Sequence, residues 1–136
     1  MTNREQGGIK RNLLGGILVT AGLVFLAMLA IPQSFSTDLD RIGQGKPVIA
    51  IVYEIENEAV NSLMEGFNKI RKDYEHAVEF LLVDSTSPTG QLFLRKNPAT
   101  AGSALYYSET GEKIKIVHGP QEVHILDQSI KLAFNL

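Results

Sequence analysis

Val48-Ile49-Ala50-Ile51-Val52-Tyr53 is an unbroken apolar run in which four residues are β-branched. A strand with one wet face alternates apolar and polar. A strand without alternation is buried on both faces, as in a parallel sheet covered by helices on each side. Downstream, Val60, Leu63, Met64, Phe67, Ile70 and Tyr74 recur at helical spacing, with Glu65 and Lys69 as an i,i+4 pair on the outer face. That spacing predicts a helix over 57–74. Val78-Glu79-Phe80-Leu81-Leu82-Val83 is a second, mostly apolar strand. Strand, helix and strand in this order make a βαβ unit with parallel strands and a right-handed crossover.

The rest of the chain extends the pattern. Ser85-Thr86-Ser87-Pro88-Thr89-Gly90 is turn chemistry, and a short helix is expected over 91–96 before Asn97-Pro98. Residues 103–107 read as a third strand. Glu109-Thr110-Gly111-Glu112 reads as a hairpin loop, and Lys113 to His118 as an alternating edge strand guarded by lysines. Of the adjacent Tyr106 and Tyr107, one is expected to face the core and one outward. Val123, Leu126, Ile130, Ala133 and Phe134 mark a closing amphipathic helix. The fold class is α/β: a central mixed sheet of about four strands in the order β-α-β-(α)-β-β-α, with flanking helices.

Upstream, Leu13 to Ile31 is a 19-residue run without charge, followed by Pro32. At about 1.5 Å per residue it matches the ~30 Å hydrocarbon core and predicts a single transmembrane helix. Arg4, Lys10 and Arg11 precede it, and Asp38 and Asp40 follow. The positive flank places residues 1–12 in the cytoplasm and the domain in the periplasm or outside, in a bacterial cytoplasmic membrane. Gly16, Thr20 and Ala27 share a helical stripe that suits a neighbouring helix, although small residues are common in such spans. A cleaved signal peptide is the rival reading, with Ser34-Phe35-Ser36 as the small-residue site; the run exceeds the usual ~7–15-residue apolar core. Residues 32–45 read as a linker, and 46–136 as the folded domain.

Composition removes several chemistries. The chain has 13 Lys and Arg against 15 Asp and Glu, a formal net charge of −2, and 44% hydrophobic residues. That balance excludes the basic footprint of a general nucleic-acid binder and the composition of a disordered chain. With no cysteine there are no disulfides, thiol nucleophiles or Cys-held metal sites. No phosphate-binding glycine loop is present. Asp84-Ser85-Thr86-Ser87 offers hydroxyls beside a carboxylate but reads as cap and turn chemistry. His118 and His124 flank Gly119-Pro120 and are placed to approach each other, too few for a metal site. Glu54, Glu56 and Glu58 sit at the strand-to-helix corner. They read as an acidic rim for a partner or cation, or as carboxylates favoured near a helix N-terminus. No catalytic, cofactor or metal residue is expected.

Gly45-Lys46-Pro47-Val48 and the gapless run to Tyr74 resemble the lead-in, first strand and first long helix of thioredoxin. Val78 to Asp84, Gly111-Glu112 and the Gly119 turn resemble its later elements. The resemblance covers about 45–136 and implies a thioredoxin-like domain. The redox Cys-x-x-Cys pair would fall at Asn57-Glu58-Ala59-Val60, where no sulfur stands, so thiol–disulfide exchange is excluded. The family's cis-proline would fall near Gly102-Ser103, with Pro98 a little upstream. The resemblance implies a membrane-anchored domain turned to protein binding, as an accessory, assembly or scaffolding subunit of a membrane complex. Glu56, Asn57, Glu58, Gly102 and Ser103 are its candidate contact residues. The alternative is a thiol-independent substrate-binding or chaperone component of a periplasmic redox pathway.

Overall fold

A computed structural model describes residues 35–136 and, singly, Val19. The expected span over 13–31, with Gly16, Thr20 and Ala27, lies outside the described residues apart from Val19. Among the described residues no helix is long and apolar enough to cross a membrane.

Four strands form one sheet: β1 Val48–Tyr53, β2 Glu79–Asp84, β3 Ser103–Tyr107 and β4 Lys113–His118. Their order is β2-β1-β3-β4. β1 runs parallel to β2 with Val48 opposite Glu79, and antiparallel to β3 with Val48 opposite Tyr107. β3 and β4 form an antiparallel hairpin with an irregularity at Tyr106/Tyr107. Three α-helices follow in chain order: α1 Glu58–Tyr74, α2 Pro88–Lys96 and α3 Val123–Phe134.

β1 is central, and its side chains divide between two cores. Ile49 and Ile51 join Leu63, Phe67 and Ile70 of α1 and Leu126 and Ile130 of α3 on one face. Val48, Ala50 and Val52 join Leu81, Val83 and Leu105 on the other, where Phe93 and Leu94 of α2 pack. This is why the run lacks alternation: both of its faces are dry. Tyr106 and Tyr107 follow the same logic and correct the expectation that one of them faces solvent. They point to opposite faces and both are buried, because α2 closes the second side. Phe93 meets the Tyr107 ring edge-on, and the Tyr107 hydroxyl donates to Asn97 Oδ1 at 2.9 Å. Tyr106 stacks on Phe134 and shares a hydrogen bond with Ser129.

α2 starts earlier than the expected 91. Ser87 is its N-cap, accepting from the Gly90 N–H at 3.0 Å, and Pro88 opens the first turn. The Ser-Pro dipeptide is turn chemistry that also starts a helix, since proline's missing N–H is not needed there. The stretch expected as linker also differs, because residues 35–45 fold onto the domain. Phe35 is buried against Phe80, and the Arg71 guanidinium lies 4.7 Å from its ring centroid. Ser36 bridges Leu81 in parallel, and Leu39 of a 3-10 turn (Leu39–Arg41) and Ile42 pack on the second core. Gly43 then passes so close to Gly111 of the β3–β4 hairpin that a Cβ on Gly111 would lie 3.2 Å from the Gly43 Cα. Three apolar residues in a polar stretch thus anchor what composition alone assigns to a tether.

α1 and α3 are latched by polar groups. The Tyr74 hydroxyl donates to Asp127, which also pairs with Lys131 at 3.0 Å. Burial and the Asp127 carboxylate push Tyr74 up to about 12. Burial alone does the same to Tyr107 and outweighs the Ser129 hydrogen bond at Tyr106, each reaching about 12. An unfolded chain titrates its tyrosines near 10. The fold therefore favours the neutral phenols, and their contribution is complete below pH ~10 and lost as pH rises towards ~12. Alkaline titration is expected to show the tyrosinate absorbance of Tyr74, Tyr106 and Tyr107 rising together with loss of circular dichroism, instead of ahead of it.

Candidate functional site

The loops that leave the C-terminal ends of β1 and β2, enter β3 and leave β4 gather at one end of the sheet. β1 runs out at Tyr53, and the chain turns into α1 through Glu54, Ile55, Glu56 and Asn57. Glu56 is a non-glycine residue in the left-handed region, φ +64°, a conformation that costs on the order of 1 kcal/mol. It hands the chain to Asn57, whose extended backbone lets its side chain accept from the Val60 N–H at 3.2 Å and cap α1. The turn leaves Ile55 at its tip, 67% exposed. Removing the cap is expected to cost about 1 kcal/mol in Asn57→Ala and to fray the first turn of α1. Urea denaturation together with amide exchange at 58–61 checks this.

Behind the tip the corner is closed. Gly102 has φ +81°, and a Cβ there would sit 3.0 Å from the Ala59 Cβ. Gly102 N–H donates to the Val52 C=O at 3.0 Å, and its own C=O accepts from Gly119 N–H at 2.8 Å. Gly119 in turn has no room beside the Ala59 C=O, at 3.0 Å from a Cβ position. Two glycine backbones thus lie flush against the first turn of α1. The cis peptide among the described residues is Gly119–Pro120, so Asn97–Pro98 is trans.

Of the five candidate contact residues, Glu56 and Glu58 are exposed, Asn57 is half-buried, and Gly102 and Ser103 are buried. The structure brings them to one corner in two layers. Glu56 and Glu58 lie at the surface and Asn57 caps α1, while Gly102 packs on Ala59 and Ser103 is buried on β3. Ser103 Oγ lies 3.0 Å from His118 Nδ1 and 3.3 Å from Thr100 Oγ1. The sequence alone does not reveal that cross-strand pair, because it depends on the β3–β4 register. His118 and His124 have separate partners, His124 meeting Glu122 at 3.1 Å. A serine and a histidine alone do not make a nucleophile here, since Ser103 is fully buried with no carboxylate hydrogen-bonded to His118 among the described residues. No group of three or more potential ligands for a metal occurs among the described residues.

The electrostatics of this end are one-sided. The loop from β1 to α1 carries Glu54 and Glu56, with Glu58 and Asp84 at the adjoining element ends. No Lys or Arg occurs in 47–68, 73–94, 97–112 or 116–130. Asp84 is held below the usual carboxylate range by hydrogen bonds from the Thr86 hydroxyl and N–H, the hydroxyl at 2.7 Å. Ile55 is therefore an apolar point in an acidic field. Ile55 is not among the expected contact residues, although an isoleucine between two glutamates just beyond a strand end is the signal that marks it.

No protein-family model and no curated protein matches the chain. Among solved structures it is similar to oxidized thioredoxin O2 of Arabidopsis thaliana, with a TM-score of 0.58, 12% identity, and coverage of 68% of this chain and 83% of that one. It is also similar to a mutant thioredoxin of Halobacterium salinarum, with a TM-score of 0.62, 14% identity, and coverage of 75% and 90%. At these identities the likeness defines the fold alone. The described domain has a thioredoxin-like fold, and the chain contains no cysteine.

Proposed function

We propose that this chain is a non-catalytic, membrane-anchored protein-binding subunit that uses the Ile55–Glu58 corner of its thioredoxin-like domain to hold a partner within a membrane complex. The observation that carries the reading is the corner itself. Asn57 caps the helix at the position where the resemblance to thioredoxin would put the first thiol, Val60 is buried, and an exposed isoleucine stands beside Glu54, Glu56 and Glu58. Exchange chemistry requires a thiolate, whereas an apolar tip inside a field of one sign suits recognition of a complementary surface. The closed packing of Gly102 and Gly119 on Ala59 leaves the rim, instead of a groove behind it, as the contact surface. With Phe35 already in the domain, three residues (Pro32-Gln33-Ser34) connect it to the expected span over 13–31. That short connection favours neighbours in the same membrane, which meet the domain at high effective concentration.

The test is purification of tagged full-length protein from native membranes in mild detergent, beside an Ile55→Asp variant. A stoichiometric set of membrane subunits that is lost with Ile55→Asp supports the reading. Many unrelated periplasmic clients, lost with the same variant, favour a substrate-binding role in a redox pathway. A companion set unchanged by Ile55→Asp moves the contact away from this corner.

A further inference from the structure

The outer edge of β2 is only partly covered. β2 donates to β1 from alternate residues: Glu79 N–H to the Pro47 C=O at 2.9 Å, and Ser85 N–H to the Tyr53 C=O at 3.0 Å. The intervening Phe80, Leu82 and Asp84 therefore turn their backbone groups to the outer edge. The chain's own lead meets one of these groups. Leu82 N–H donates to the Ser36 C=O at 2.8 Å, and Ser36 pairs in parallel with Leu81. A strand continuing in step would bring residue 38 against Val83, between the Leu82 C=O and the Asp84 N–H. Instead Asp38 caps the 3-10 turn, accepting from the Asp40 N–H at 3.2 Å, and the chain leaves the edge. Where it leaves, a cavity of about 310 Å³ opens, lined by Thr37, Leu39, Leu82, Asp84, Ser87 and Thr89.

We propose that this cavity accepts an extended peptide segment of a partner protein, lying parallel to β2 and completing the rung that the chain's own lead abandons. The backbone specifies the occupant. The Leu82 C=O and the Asp84 N–H are an acceptor and a donor spaced for one residue of a parallel strand, the pattern of strand addition at a sheet edge. The side chains refine it. Leu39 and Leu82 offer an apolar wall, and the Asp84 carboxylate, which stays ionised, favours a Lys or Arg on the neighbouring residue. The size suits a short segment, being at the lower end of ligand-cavity volumes. The lead already establishes that this edge takes a strand in parallel register, so the partner strand continues an existing ladder. The surface shares no residue with the Ile55–Glu58 corner, and it stands whether or not that corner binds.

Amide exchange of the full-length protein in detergent micelles, read by NMR, tests the geometry first. The Asp84 amide is expected to exchange at least about tenfold faster than the Leu82 amide, which Ser36 holds. Equal protection of the two would mean the rung is already filled, and would overturn the proposal. The probe is the capped tripeptide acetyl-Leu-Lys-Val-amide, whose first residue takes the open rung so that no residue of it runs back onto Ser36 and Thr37. Binding is expected to slow the Asp84 amide and shift 37–39, 82–84 and 87–89. N-methylation of its leucine is expected to weaken binding about tenfold, the factor one lost hydrogen bond carries. Thr37→Trp, which fills the cavity from an exposed position, is expected to abolish binding with the rest of the spectrum unchanged. Equal binding of the N-methylated peptide, shifts confined to 54–58, or no slowing of Asp84 up to the solubility limit would each overturn it.

Discussion

Alanine in place of Gly90 is expected to destabilise the domain by about 3 kcal/mol, far beyond the usual effect of one added methyl group. A Cβ at this position would lie 1.8 Å from the Asp84 carbonyl oxygen and 2.7 Å from its carbon. Both are backbone atoms at the end of β2, so no rotamer change relieves the clash. The first turn of α2 has to lift away from the strand, taking with it the Ser87 cap and the Ser87 hydroxyl bond to the Asp84 C=O. Gly66→Ala is the control. Its Cβ would press on the tip of Leu126, Cδ1 at 2.7 Å, with the Gln121 O at an ordinary 4.0 Å. The leucine side chain can swing, and alanine is the better helix former by ~1 kcal/mol. Gly66→Ala is therefore expected to change stability by less than about 1 kcal/mol. Urea denaturation of the two variants side by side separates a backbone clash from a side-chain one.

Phe67→Ala is expected to cost about 3–5 kcal/mol, the range for an aromatic removed from a closed core. Phe67 is fully buried, and its ring centroid lies 6.0 Å from that of Phe80 on β2. Phe80 also touches Phe35, so the hole opens in the cluster that fastens the N-terminal lead to the sheet edge. Domains of this size have stabilities of about 5–15 kcal/mol, and such a loss lowers the urea midpoint by roughly 2 M. The lead is expected to loosen before the sheet. In Phe67→Ala the Leu82 amide, bonded to Ser36, should lose exchange protection while the β1 amides facing β3 keep theirs. Uniform loss of protection would show that the lead is not a separate unit.

The fold was largely legible because its central strand is dry on both faces, and a short β-branched run without alternation fits few positions except the middle of a covered sheet. The helical spacing of Val60 to Tyr74 and the alternation of Lys113 to His118 were equally direct. What escaped were features fixed by tertiary context. Phe35, Leu39 and Ile42 stand in a polar stretch, and the burial of Phe35 and the packing of Leu39 and Ile42 depend on the β2 edge and the second core being present. The Ser87-Pro88 start of α2 looks the same locally whether a turn or a helix follows. The second tyrosine of Tyr106-Tyr107 is buried only because α2 lies over it. At the corner, the acidic residues could be placed from the chain, whereas Asn57, expected inside the helix, is its cap. The Ser103–His118 pair could not, since the strand register that makes it is not written in either residue. The support that Gly102 and Gly119 give to Ala59 was hidden for the same reason: a glycine in sequence does not say what its missing side chain makes room for.

The sheet order sets a schedule for the ribosome. β1 is one of the two inner strands, yet it is the first of the four to emerge. Its neighbour on one side, β2, follows after a single helix, but Val48 pairs on the other side with Tyr107 and Ile51 with Ala104. At about 5–20 residues per second, more than fifty residues of translation separate the most apolar strand from its second partner, an interval of several seconds. Throughout it the nascent chain carries an unpaired edge of Val, Ile and Ala, the kind of strand that templates association with other chains. Slower elongation across 85–102 would lengthen that interval, and the yield of folded protein should fall with it.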